Sequence, residues 1–214
     1  MRPASCSLAI TVAAFLVFGT GVSGQEHSPV QTSNPTLQAS LDRIARGSAL
    51  WRADRDSISM AGRRAIVLTP DAVVVVDPTG PGTPEPFGNN VLAEISVLPG
   101  SGSEVETVLV VVNLPLLTQA HDRRRSSAAE RAADLDRILV HEVYGHAFPY
   151  LLAGSLSGRC ADPLPGERPT DACSITRENA VRAELSLGRR IDYTLSSLTL
   201  AQPNYWLEPH RRQR

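Results

Sequence analysis

The sequence predicts an α+β domain, with a small, mainly antiparallel sheet followed by two helices that carry the candidate site. Three observations lead to this fold class: an early amphipathic helix, runs of valine, isoleucine and leucine, and helix formers after Asn113. The 214 residues are 42% hydrophobic with a net charge of −1, which suits one globular domain. Such a charge provides no electrostatic basis for binding nucleic acid.

The first elements are a helix and the sheet. Apolar residues at helical spacing predict a helix from Thr36 to about Ser48, with Gly47 as a stop signal. The period then changes, and turn residues separate the apolar runs. We expect about four strands at residues 65–69, 72–77, 91–98 and 105–114, with hairpin-length connections between the first two and between the last two.

Helix-forming residues dominate the second half. We expect residues 121–125 to be a charged loop with His121 on its surface. Ser126 or Ser127 can cap the next helix, with Glu130 placed to complete a capping box.

This long helix runs into residues 141–146. A loop rich in glycine, proline and cysteine follows at residues 154–173. The last helix is expected to begin near Thr176 and to end at Gly188, which suits a left-handed cap.

The N-terminal residues predict export. Arg2 precedes an apolar stretch at residues 8–22, and small residues follow, so residues 1–24 are interpreted as a signal peptide. An uncleaved anchor is the alternative, but the stretch is shorter than the ~20 residues a membrane span needs. We expect residues 25–35 to be a flexible leader and residues 36–214 a single domain, monomeric and periplasmic or secreted.

Two cysteines remain after the signal peptide. Cys160 and Cys173 form an even set in an exported chain, which favours one disulfide. A metal-binding pair is less consistent with their spacing, which differs from the C-x2-C pattern of structural zinc sites.

The segment His141-Glu142-x-x-Gly145-His146 is the most informative in the chain. Two imidazoles and a carboxylate form a donor set that suits one zinc ion. Glu142 is then placed to take the proton of a metal-activated water, as in H-E-x-x-H metallopeptidases.

The histidines are separated by one residue more than in that motif. On a regular helix, positions four apart differ by about 40° in azimuth, and positions five apart by about 140°. A shared metal therefore requires a wider turn, and we predict a π-bulge within residues 141–146, eased by Gly145.

The six residues resemble the H-E-x-x-G-H motif of the dipeptidyl peptidase III family. Farther along, Glu178-Asn179-x-x-Arg182-x-Glu184-Leu185, followed by Arg189-Arg190 and Tyr193, is similar to bacterial effector and toxin-type zinc metallopeptidases. The Gly-Ser-Gly-Ser segment at residues 100–103 also resembles theirs. This second resemblance covers residues 90–195.

The second resemblance implies a zincin-like fold and additional site residues. It makes Glu178 the third zinc ligand, with Glu184 as the alternative, and a catalytic zinc site does need three protein ligands. Arg182 is expected to orient Glu178, and Tyr193 to stabilise an oxyanion.

The resulting hypothesis is an exported zinc metallopeptidase that acts on a peptide or protein substrate, without stable membrane insertion. The strand at residues 105–114 is expected to pair with extended substrate. Two alternatives stay open: a zinc amidohydrolase that acts on cell-wall material, and a non-catalytic metal-binding protein.

Overall fold

The computed structural model describes residues 28–70, 92–98, 107–153 and 174–190. The predicted α+β class is confirmed in this part of the chain, where none of the helices is long and apolar enough to cross a membrane. The predicted signal peptide, strand 72–77, disulfide and Tyr193 lie outside the described residues.

The elements are, in order, β1 (Val30–Gln31), α1 (Pro35–Gly47), α2 (Ala49–Met60), β2 (Arg64–Leu68), β3 (Ala93–Leu98), β4 (Thr107–Val112), α3 (Leu114–Arg124), α4 (Ala128–Leu139), a π-helix (Val140–Ala147), α5 (Phe148–Ala153) and α6 (Ser174–Glu184).

The sheet is mixed, so the prediction of a mainly antiparallel sheet is wrong. Its order is β1-β2-β4-β3, in which β2 lies parallel to both β1 and β4, and only β3 and β4 are antiparallel. The sequence pattern predicted a helix at residues 36–48 but not the short strand before it, so it missed a helical crossover between two strands. Helices α1 and α2 connect β1 to β2, and a connection of that length returns the chain in the same direction.

Strand β1 lies in the segment expected to be a flexible leader. Val30 is buried and pairs with Ala65, whose amide donates to the carbonyl of Pro29 at 2.7 Å. Two residues are too short a run for a periodic pattern to reveal, so only the neighbouring strand identifies them as part of the sheet.

The hydrophobic core lies between the sheet and a layer of helices that includes α1, α2, α4, the π-helix and α5. Strand β4 is buried along its whole length because it is central in the sheet, between β2 and β3. Trp51 of α2 is 1% exposed, and its ring centroid lies 4.9 Å from that of Phe148 and 6.1 Å from that of Tyr144. Trp51 thus ties α2 to the π-helix and α5.

Residues 121–124 are helical, and the prediction that His121 is a surface loop residue is wrong. The side chain of Asn113 accepts from the amide of Leu116 and caps α3. Leu117 and His121, four positions apart, share the buried face of α3, and His121 is only 2% exposed.

The predicted capping box at the start of α4 is confirmed. The amide of Ser127 donates to the carboxylate of Glu130 at 2.7 Å, and the amide of Glu130 donates to the hydroxyl of Ser127 at 3.3 Å.

Helix α6 ends earlier than expected, and its cap is Ser186, not Gly188. Ser186 is left-handed, with φ 56°, and its amide donates to the carbonyl of Ala183. The amide of Leu187 donates to the carbonyl of Arg182, which completes a Schellman motif. Gly188 is also left-handed, with φ 76°, and belongs to the turn that follows.

Candidate metal site

The π-helix confirms the predicted π-bulge. It continues α4 and extends over the whole motif, so the helical turn is wider where the extra residue occurs. His141 and His146, five positions apart, consequently share one face. Their ring centroids are 4.7 Å apart, and their Nε2 atoms are 3.3 Å apart.

This separation fits a shared metal ion. Two nitrogen ligands at about 2.0–2.1 Å from a tetrahedral zinc ion lie about 3.3–3.4 Å from each other. Burial, with a smaller contribution from neighbouring His141, lowers the pKa of His146 to about 3, which keeps its ring neutral at physiological pH. A neutral imidazole is the form that ligates metals.

Glu142 completes a three-residue group. Its Oε1 lies 3.9 Å from Nε2 of His141, and one ligand atom from each of His141, Glu142 and His146 lies within 4.8 Å of the others. The three side chains are buried or nearly so, and together they could hold a metal ion.

Glu178 reaches the site from α6, but on the far side of His141. Its Oε2 lies 3.0 Å from Nδ1 of His141 and 3.2 Å from Nη1 of Arg190, and its Oε1 lies 2.8 Å from Nε of Arg182. In this position Glu178 contacts His141 and two arginines, and its assignment as the third metal ligand stays a prediction. Arg182 does lie where it can orient Glu178.

The carboxylate of Glu178 is ionised although it is fully buried. Burial raises its pKa, but the hydrogen bond with His141 and the positive charges of Arg182 and Arg190 outweigh this effect and hold the pKa below its usual value. An anion therefore stands behind the ring of His141.

Nδ1 of His141 has two close neighbours. Oε2 of Glu178 and Nη1 of Arg190 each lie 3.0 Å from it, while Nε2 of His141 faces His146. Metal-binding histidines commonly have a carboxylate at the ring nitrogen that does not bind the metal. Glu178 thus supports His141 from behind.

Glu184, the alternative to Glu178, lies elsewhere. The hydroxyl of Ser48 and the amide of Leu50 both donate to its carboxylate, the latter at 3.3 Å. Six positions beyond Glu178, Glu184 faces the start of α2, so it supports a helix end instead of the histidines.

Gly145 allows α6 to approach the π-helix. A Cβ atom at this position would lie 3.2 Å from the carbonyl oxygen of Ser174 and 3.5 Å from its Cβ. The sequence analysis predicted that Gly145 eases the π-bulge. In the structure Gly145 also leaves room for α6 to pack against the π-helix, which places Glu178 next to His141.

Arg190 is the site residue that reasoning from the sequence missed. The sequence indicates Arg190 only as part of the segment similar to effector and toxin-type zinc metallopeptidases. In the structure its side chain is 2% exposed, and its Nη1 lies 3.0 Å from Nδ1 of His141. An arginine shortly after the helix that carries Glu178 was the available signal. Its neighbour Arg189 is exposed, and spacing in the sequence does not distinguish the two arginines.

The expectation that the strand at residues 105–114 pairs with substrate is wrong. Strand β4 has β2 on one side and β3 on the other, so both of its edges are already paired. Within the described ranges, β3 is the strand at this edge of the sheet.

No family model, curated protein or solved structure matches the chain. The function proposed below depends on the positions of His141, Glu142, His146 and Glu178.

Proposed function

We propose that the protein is an exported zinc metallopeptidase, in which His141 and His146 supply two of the protein ligands of one zinc ion. The observation that supports this most is the 3.3 Å approach of their Nε2 atoms across a five-residue spacing, through a π-helix. A π-helix is rare and occurs frequently at functional sites. Two neutral imidazoles favour zinc over magnesium or calcium, which prefer oxygen ligands.

When bound, the zinc ion supplies a Lewis acid that polarises a carbonyl group and lowers the pKa of water. Glu142 is the general base of the proposed reaction. Its carboxylate lies beside the Nε2 atom of His141 and its side chain is 12% exposed, so it is positioned to remove a proton from the attacking water. It then returns this proton to the amine of the cleaved peptide bond.

Glu178 has a supporting role in this proposal. It accepts from Nδ1 of His141, holds the ring orientation and increases the basicity of Nε2. Tyr193 remains the predicted oxyanion donor.

The test compares wild-type protein with Glu142→Gln. Zinc content is measured by elemental analysis, and hydrolysis with a library of quenched fluorescent peptides. We expect one zinc ion per chain in both proteins, and a rate about 10²–10⁴-fold lower in the variant. Asp56→Asn, an exposed carboxylate-to-amide change on α2, is the matched control and should keep full activity.

Each other result overturns a defined part of the proposal. Wild-type protein without zinc overturns the metal site. Zinc without peptide hydrolysis overturns the peptidase assignment and leaves the amidohydrolase and the binding protein. Full hydrolysis by Glu142→Gln overturns the role of Glu142 as base.

A further inference from the structure

Asn179 holds the backbone of Arg190 through two hydrogen bonds. Its Nδ2 donates to the carbonyl of Arg190 at 2.8 Å, and the amide of Arg190 donates to its Oδ1 at 2.7 Å. One side-chain amide therefore satisfies both backbone groups of a residue eleven positions later. Two opposed bonds fix both the distance and the orientation of the peptide they hold.

This contact determines where the guanidinium of Arg190 lies. The chain leaves α6 through left-handed Ser186 and Gly188, and Nε of Arg137 holds the carbonyl of Leu187 at 2.7 Å. Asn179 provides the next anchor, three residues farther along. The Arg190 side chain then extends inward, where it meets Glu178.

Neighbouring residues of α6 thus have complementary roles. Consecutive side chains differ by about 100° around a helix, so Glu178 faces the histidines while Asn179 faces the returning chain. Arg190 connects the two, because its backbone is bound to Asn179 and its Nη1 to Oε2 of Glu178.

We propose that Asn179 is a positioning residue of the metal site, which acts through Arg190 to fix the positions of Glu178 and the ring of His141. This inference rests on the proposed function in treating His141 as a metal ligand. Its first test needs no metal, so the two proposals fail separately.

The first test is the environment of the His141 ring, measured as its ¹⁵N chemical shifts in long-range ¹H–¹⁵N NMR spectra of the protein in excess chelator. Because Nη1 of Arg190 lies 3.0 Å from Nδ1, we expect the Nδ1 shift of wild type to change in Arg190→Ala and to change in the same direction in Asn179→Ala. Arg189→Ala, an exposed neighbour, should match wild type. The proposal is overturned if the His141 ring shifts in Asn179→Ala equal those of wild type.

The second test is zinc affinity, measured by competition with a chromophoric chelator. We expect affinity to fall about 10–100-fold in Asn179→Ala and in Arg190→Ala, as for other residues that support metal ligands. The double variant should bind no more weakly than Arg190→Ala alone. Additive losses would show that Asn179 acts through the general stability of the fold, which overturns the proposal.

A conservative variant covers the case in which Asn179→Ala does not fold. Asn179→Asp keeps the acceptor for the amide of Arg190 and loses the donor to its carbonyl, so one of the two bonds remains. We expect Asn179→Asp to change the NMR signals of His141 and the zinc affinity in the same direction as Asn179→Ala, but by less. A variant indistinguishable from wild type in both tests contradicts the proposal. If wild type binds no zinc, the proposed function fails and the NMR measurement of the His141 ring alone decides on Asn179.

Discussion

Gly145 lies directly beneath the carbonyl group of Ser174, at the point where α6 begins. A methyl group at Gly145 would be 3.2 Å from that oxygen, closer than ordinary van der Waals contact. Because the obstructing atom belongs to the backbone, it cannot rotate away. This contact places α6, and with it Glu178, against the ring of His141.

Replacing Gly145 with alanine should weaken the site by displacing α6. We expect a loss of about 1–3 kcal/mol in unfolding free energy from overpacking, together with weaker zinc binding. Gly62→Ala is the control. Gly62 has φ 67° and open space around it, so the variant should lose stability through backbone strain alone and should keep its zinc affinity. Denaturant unfolding and chelator competition provide the two measurements. Equal zinc affinity in Gly145→Ala and wild type would contradict this role.

Glu178→Gln and Glu184→Gln should have different effects. The first leaves the buried charges of Arg182 and Arg190 without their anion, and breaking a buried pair costs about 3–5 kcal/mol. Its zinc affinity should fall about 10–100-fold. Glu184→Gln should weaken only the support of the start of α2 and keep zinc affinity. Complete loss of zinc from a folded Glu178→Gln protein would instead show that Glu178 is a direct ligand.

The metal-free protein should lose stability in acid. Burial lowers the pKa of His146 to about 3 from 6.5, so between these values the unfolded chain binds a proton that the folded chain excludes. The stability is fully present above pH 6.5 and decreases as pH falls, by about 1.4 kcal/mol per pH unit. Urea titrations from pH 7.5 to 4.5 in chelator measure this slope.

His146→Gln is the matched variant, because it removes the titrating group. Its slope should be shallower than that of wild type by about the contribution of one histidine. Glu178 acts in the same direction, since its depressed pKa gives stability that is lost as its carboxylate is protonated. Equal slopes in wild type and His146→Gln would contradict the buried neutral state of His146.

Trp51 should dominate the contact between α2 and the π-helix. Trp51→Ala should cost about 3–5 kcal/mol, because its ring packs against Tyr144 and Phe148. Leu50→Ala, the neighbouring exposed residue, should change stability by about 0.5 kcal/mol or less. Thermal unfolding of the metal-free proteins measures both. A small effect of Trp51→Ala would show that α2 is held mainly by other contacts.

Local sequence determined the features that depend on neighbouring residues. The five-residue spacing of His141 and His146 required a wide turn, and the turn is present. Ser127 and Glu130 set the start of α4 because their capping contacts span only three positions. Each of these features is a short-range relation between spacing and backbone geometry, so it is readable before any tertiary contact is known.

Only the tertiary structure determined relations between distant segments. The parallel pairing of β2 and β4 joins segments that are far apart in the sequence, so no local pattern specifies it. Glu178 stands behind His141, and Arg190 beside it, because α6 packs closely on the π-helix at Gly145. Periodicity marks each residue as helical or buried, but the direction in which two separate elements meet is decided by packing. The sequence therefore determined the paired histidines His141 and His146, whereas packing between α6 and the π-helix determined that Glu178 and Arg190 contact His141.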